Sequence, residues 1–223
     1  MDNFIFHHQN LTSYDSRLVI NAFNKAKSKV SMFFGTPPPD TEIIIARDFD
    51  HMCELIGKKR PVWGVTTNKD GKIYLSDPLS WKKEITGHTL EDLKSSLAHQ
   101  LVHLHFQRNS ISLPIWFEEG IAVFVGRDSG IKNREKDFKN LTRQHKIPNL
   151  QKNPSTFSSH PIPALAYLTS YKFICFLIAK SGKEKLVNFI NSFSKYKNFD
   201  EALSSFWRFK SKSYWNTFEK SII

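Results

Sequence analysis

Residues 97–106 read LAHQLVHLHF. His99 and His103 stand four apart, which on a helix is a rotation of about 400° and a rise of about 6 Å, so both imidazoles leave one face a turn apart. Two imidazoles so placed can hold one divalent ion, and a zinc ion asks for a third protein ligand and an open position. Sixteen residues past His103 comes Glu119, within LPIWFEEGIAVFVG. The break at Ser112-Leu113-Pro114 lets the chain reverse, so that a second helix packs back on the first. On it Ile115, Glu119 and Ala122 are expected to share the inward face, with Glu118 about 100° away and outward. A carboxylate on an inward face needs a partner, because burying it alone is costly. A metal ion is such a partner. His105 follows at the wrong angle to join the pair and is expected to be structural.

The elements that must position these residues are legible in outline. Apolar residues at helical spacing predict a helix over 14–35, stopped at Gly35 ahead of TPPPD. TEIIIARD reads as a strand, and 49–57 as a short helix. VWGVTTNKDGKIYLSDP reads as a hairpin whose Asp70-Gly71 supplies the positive-φ position. Thr89-x-x-Asp92 resembles a capping box and opens the motif helix, about 90–107. A helix over 115–125 follows. Residues 131–146 are expected to be helical, anchored by Phe138 and Leu141, and 147–163 irregular. Three helices close the chain, about 164–180, 183–195 and 199–221, the last broken near 210–213. The expected architecture is α+β in two lobes: 1–107, a small sheet with helices ending in the motif helix, and 108–223, all helical and carrying the third ligand. Together they form one domain with a site at their join.

Composition narrows the class. The 223 residues hold 32 Lys and Arg against 21 Asp and Glu, a net charge of +11. That favours anionic partners, but the lysines are spread along the chain, with no Arg-rich block and no interleaved base-stacking aromatics. Nucleic acid is therefore not the expected partner. Cys53 and Cys175 sit among apolar neighbours and are expected to be buried free thiols. MDNFIFHHQN lacks the pattern of a secretory signal, and FICFLIA is too short to cross a bilayer. The expected location is cytoplasmic.

SSLAHQLVHLHF followed by LPIWFEEGIAVFVG resembles the gluzincin zinc metallopeptidases, and most closely their peptidase MA-like form, with A-H-E-x-x-H and then L-P-x-W-x-x-E-G-x-A. The resemblance extends to WGV…DGKIYLSDP before the motif and to AYLTSYKFICFLIAKSGKEKLVNFINSF after it, covering roughly 15–221. It implies a zincin-like fold, a Zn2+ cofactor held by His99, His103 and Glu119, and a peptide or protein substrate.

In that family a Glu follows the first His and serves as general base. Here the position is Gln100, which has nearly the same shape but no basic oxygen at neutral pH. Losing such a base typically costs on the order of 10²–10⁴ in rate. The chain as written is expected to bind zinc and hydrolyse little. Two histories fit: an engineered Glu→Gln change in an active parent, or a natural pseudopeptidase that binds peptide without cutting it. An isosteric change at one position of an otherwise intact site reads as the former. For the oxyanion, relatives use a Tyr in a Tyr-x-x-Gly-like pattern. This chain offers Tyr167, with Ser170 where the Gly would stand, then Tyr171, and His160 as a further donor. Gly64 and Val65, at the hairpin, are the expected substrate-strand contacts. Two departures stand out. Val123 replaces the Asp that thermolysin-like relatives carry four residues past the zinc Glu. The aminopeptidase motif Gly-x-Met-x-Asn is absent, which points to an endopeptidase.

Overall fold

The computed structural model describes residues 3–6, 13–60, 64–81, 88–126, 138, 140, 142, 147–151, 163–196, 198–209 and 214–222. Among the described residues it is a mixed α+β structure, with one small sheet and a majority of helix. The chain divides into two compact units: residues 1–109 with 125–130, and residues 110–124 with 131–223.

The first unit is built on four strands in the order β1-β2-β4-β3. They are β1 (Asn3–Phe6), β2 (Glu42–Ala46), β3 (Thr66–Lys69) and β4 (Lys72–Ser76). β1 and β4 flank β2 in parallel, and β3 pairs antiparallel with β4 at an edge. Asp70 and Gly71 take φ of 52° and 75° in the turn between β3 and β4, the two positive values a two-residue hairpin with right-handed twist requires. The register sorts side chains by face. Ile44, Ala46 and Tyr74 pack on Phe49, Met52 and Ile56 of α2 (Phe49–Ile56). Residues in register with Ile43 and Ile45 face the other way: Phe4 of β1, Ile73 and Leu75 of β4, then Asn68 and Thr66 of β3. On that side Phe4 meets Phe23 of α1 (Ser13–Phe34) edge to face at 5.6 Å. The motif helix α3 (Leu93–Arg108) reaches β3 from this side through Gln100.

α1 and α3 are joined by Phe34, whose ring stacks on His105 at 4.0 Å and meets Phe106 edge-on. His105 is buried, as its angle on the helix predicts, and burial pushes its pKa below the ordinary 6.5. A base whose folded pKa is lowered contributes stability above its unfolded pKa. That stability is lost as pH falls through about 6.5, because the unfolded chain takes up a proton the folded chain refuses. Metal-free protein is expected to melt at a lower temperature at pH 5 than at pH 7, and His105→Phe to shrink the difference. Equal pH dependence in the two proteins would exclude His105 as its source.

The second unit is helical. It holds most of α4 (Ile115–Gly126), with α5 (Pro163–Ser181), α6 (Lys183–Ser192), α7 (Phe199–Trp207) and α8 (Tyr214–Ile222). Its core is aromatic. The ring of Trp116 lies 5.2 Å from Phe173, 5.6 Å from Phe199 and 5.7 Å from Trp215, while Phe117 lies 4.9 Å from Phe199 and 5.8 Å from Phe189. Such edge-to-face pairs add about 0.5–1.5 kcal/mol each beyond the area they bury. The Tyr214 hydroxyl donates to Asp200 at 2.6 Å, fastening α8 to α7. Phe138 packs on Leu165 and Leu168, whereas Leu141 lies outside the described residues.

Three expectations need correcting. Ile115 is 49% exposed, not inward: it is the first residue of α4, where the helix start leaves its side chain to solvent. Glu118 is half-buried, and its carboxylate accepts the Leu113 N–H at 3.2 Å, which satisfies a main-chain donor at the helix start. Both cysteines are free but only partly buried. β1 has no counterpart in the sequence reading. Among the described residues, no helix is long and apolar enough to cross a membrane.

Candidate metal centre

α3 begins where Asp92 folds back on Thr89, accepting its N–H at 2.9 Å and its hydroxyl at 3.0 Å. From that start the helix presents buried Leu97, Ala98, Leu101, Val102 and Leu104 to the core. His99 and His103 are left on a half-buried stripe. Their Nε2 atoms stand 3.1 Å apart. Two ligands of one tetrahedral zinc, each about 2.0–2.1 Å from it, would be about 3.3 Å apart, so the imidazole pair already has the bite of a chelate.

α4 supplies the third donor. Its Trp116 and Phe117 turn into the aromatic core, and Gly120 lies on Ser170 of α5, so closely that a Cβ would stand 2.7 Å from the Ser170 carbonyl oxygen. Glu119 projects from a different stripe, the one that ends at Gly126 seven residues on, two full turns later. Gly126 packs against α3 itself. A Cβ there would stand 2.9 Å from the Ser95 carbonyl oxygen and 3.7 Å from His99 Cβ. The Gly126 carbonyl is held by Lys29 Nζ of α1 at 2.6 Å, a cation where a helix C-terminus favours one. The last turn of α4 is thus pinned to α3 and α1. Ligand atoms of His99, His103 and Glu119 all lie within 4.8 Å of one another.

Two nitrogens and a carboxylate oxygen, gathered from two elements to within reach of one ion, fit a divalent transition metal by donor type and spacing. Gly126→Ala tests the role of the close approach. The added methyl meets main chain, which cannot step aside cheaply, so a loss of about 1–3 kcal/mol of stability is expected. A drop in metal affinity should accompany it, measured by thermal melting and by chelator competition. Unchanged affinity would show that Gly126 does not set the position of Glu119.

Gln100 lies on the neighbouring stripe of α3, buried at 8% exposure. Its Nε2 donates to the Thr66 carbonyl at 3.4 Å and the Thr66 hydroxyl at 3.2 Å, and its Oε1 accepts from Asn68 Nδ2 at 3.2 Å. Neither Thr66 nor Asn68 was read from the sequence as a site residue; only the two-residue alternation of the hairpin hints that they share a face. Gly64 and Val65, just before β3, are buried, and the Val65 carbonyl accepts the Ser76 N–H at 3.0 Å. Tyr167 and Tyr171 are half-buried on α5, three residues before Ser170 and one after it, with the Tyr171 ring stacked on Phe124 at 6.2 Å. His160 lies outside the described residues.

The sequence model of a family described as the Peptidase MA superfamily matches residues 76–223. The match begins at the last residue of β4 and takes in α3, α4 and all the helices after them. No curated protein and no solved structure gives a significant match.

Proposed function

The chain belongs to the Peptidase MA superfamily, and from that premise we propose that it is a gluzincin-type zinc metallopeptidase domain, of endopeptidase character, whose general base is replaced by Gln100. The observation that carries this reading is the group formed by His99, His103 and Glu119. The residues N-terminal and C-terminal to about 107 act together as one catalytic domain. Zinc is favoured over other ions by the donor set, two imidazoles and one carboxylate with room for a fourth ligand.

Zinc held there would supply a polarising charge for a peptide carbonyl and an acidified water. The chain's own residues do the rest. β3 is the sheet's edge strand, and an extended peptide would add along it through main-chain hydrogen bonds. Gly64 would take part at its start, whereas the Val65 carbonyl is already committed to the Ser76 N–H of β4. Tyr167, or else Tyr171, would donate a hydrogen bond to the carbonyl oxygen as it gains charge, with His160 a further donor. Gln100 can hold a water or a peptide group by hydrogen bonds but cannot take a proton. Binding would therefore persist while turnover is nearly abolished.

The test is a zinc assay paired with peptide-library digestion of the chain as it stands. One zinc per chain, none after His99→Ala, and cleavage near background are expected. Cleavage at the rate of an ordinary zinc peptidase would contradict the role given to Gln100, and absence of zinc would contradict the reading as a whole.

A further inference from the structure

Charge is unevenly divided between the two units. Residues 110–124 and 131–223 carry 17 Lys and Arg against 8 Asp and Glu, whereas the first unit carries 15 against 13. Part of the excess lies along one run of rings in the helical unit, Phe206 to Phe209. Lys180 Nζ, in the last turn of α5, stands 5.4 Å from the Phe209 ring centre. Lys185 Nζ, in the first turn of α6, stands 6.0 Å from that of Phe206 and 5.9 Å from that of Trp207. Arg208 is exposed and caps α7 in the left-handed conformation, at φ 54°, where glycine or asparagine is usual. Acidic residues are sparse here. The stretches 164–183, 185–199 and 202–218 contain none, and Glu184 alone interrupts the first two. Among the described residues, none of Lys180, Lys185 and Arg208 forms an ion pair.

Local structure accounts for only part of this. A cation suits the helix C-termini where Lys180 and Arg208 lie, but Lys185 is at a helix N-terminus, which favours an anion. A positive rim without counter-charges attracts an anionic partner. Base stacking needs an open ring face. Here Phe209 stacks on Phe176 at 6.3 Å and has Lys180 over it, while Trp207 is 4% exposed. An ammonium laid along a half-buried ring suits a bilayer interface instead, with the apolar body inward and the charge at headgroup level. We propose that the rim formed by Lys180, Lys185, Phe206, Arg208 and Phe209 is a docking surface for an anionic lipid bilayer. It lies outside the residues given to the metal centre and stands whether or not that centre holds zinc.

The test sediments the full chain with vesicles of phosphatidylcholine containing about one-third phosphatidylserine, and with vesicles of phosphatidylcholine alone. Binding to the first and not to the second is expected, weakening by more than about tenfold as salt rises from about 0.05 to about 0.3 M. A basic residue near such a surface is worth about fivefold in affinity. Lys180→Gln/Lys185→Gln/Arg208→Gln should therefore bind about 100-fold more weakly. Lys25→Gln/Lys58→Gln/Lys59→Gln removes the same charge from exposed positions of the first unit. It should weaken binding by less than about threefold, since charges beyond a screening length of the membrane count for little. No binding to the anionic vesicles, binding indifferent to salt, or equal loss in the two triple variants would overturn the proposal. Tighter binding to a single-stranded oligonucleotide or to polyglutamate than to the vesicles would overturn it too, by assigning the rim to another partner. Should the first triple variant not fold, Arg208→Gln alone takes its place. A loss of about fivefold is then expected, and unchanged binding would overturn the proposal.

Discussion

Replacing Glu119 by Gln lowers zinc affinity by more than about 100-fold. Loss of an outer hydrogen-bonding partner of a metal ligand typically costs about 10–100-fold, and Glu119 is proposed to touch the ion itself. The substitution keeps the side chain's shape, so Trp116, Phe117 and Gly120 on either side of it still pack as they do now. What is lost is the negative charge, and with it the one anionic donor in the group formed with His99 and His103. Linkage turns that loss into a second readout. At a zinc concentration about 1,000 times the dissociation constant, binding adds about 4.1 kcal/mol to stability, and a 100-fold weaker site forfeits about 2.7 kcal/mol of it. The zinc-induced rise in Tm should therefore shrink by about 5–10 °C, while the metal-free Tm stays close to that of the parent. Equal affinity in both proteins would remove Glu119 from the centre.

Trp116→Ala should have the largest effect on stability, about 3–5 kcal/mol, or a fall in Tm on the order of 10 °C. The ring is 1% exposed and meets Phe117, Phe173, Phe199 and Trp215, all at near-perpendicular angles. These partners come from α4, α5, α7 and α8, so no single neighbour can close the cavity that the truncation leaves. Trp116 is also one turn from Glu119 on the same helix. Loss of the anchor is expected to weaken zinc binding as well, though less than Glu119→Gln does, since every ligand remains. Differential scanning calorimetry of the zinc-free protein measures the first effect. A loss under about 1 kcal/mol would show that the aromatic cluster is not what holds α4.

Much of the centre could be read from residue types and spacing, because helical periodicity is local. A spacing of four between two histidines fixes a shared face wherever the helix lies, and Leu113-Pro114 announces the break after which the helix of Glu119 begins. Asp70-Gly71 announced its hairpin for the same reason: a positive φ at a turn has few solutions. What escaped depends on partners distant in sequence. β1 is four residues long and pairs with β2 some forty residues away, so no periodicity marks it. Ile115 was set on the inward face by angle alone, but burial also depends on how far along the helix its neighbours extend.

The partners of Gln100 needed the register of β3 against β4, and a slip of one residue would have turned Thr66 and Asn68 to the α2 face. Gly120 and Gly126 did leave a trace. Glycine within a helix costs about 1 kcal/mol relative to alanine, so two in one twelve-residue helix point to close approaches, here to α5 and α3. The sequence shows that something comes close at these positions without naming what.

The most direct test of the account is a crystal of the zinc-loaded chain measured on both sides of the zinc absorption edge. The account predicts one anomalous peak, about 2.0–2.2 Å from His99 Nε2, His103 Nε2 and a Glu119 carboxylate oxygen. A crystal with no such peak, or with zinc bound by other residues while these three are free of it, would contradict it.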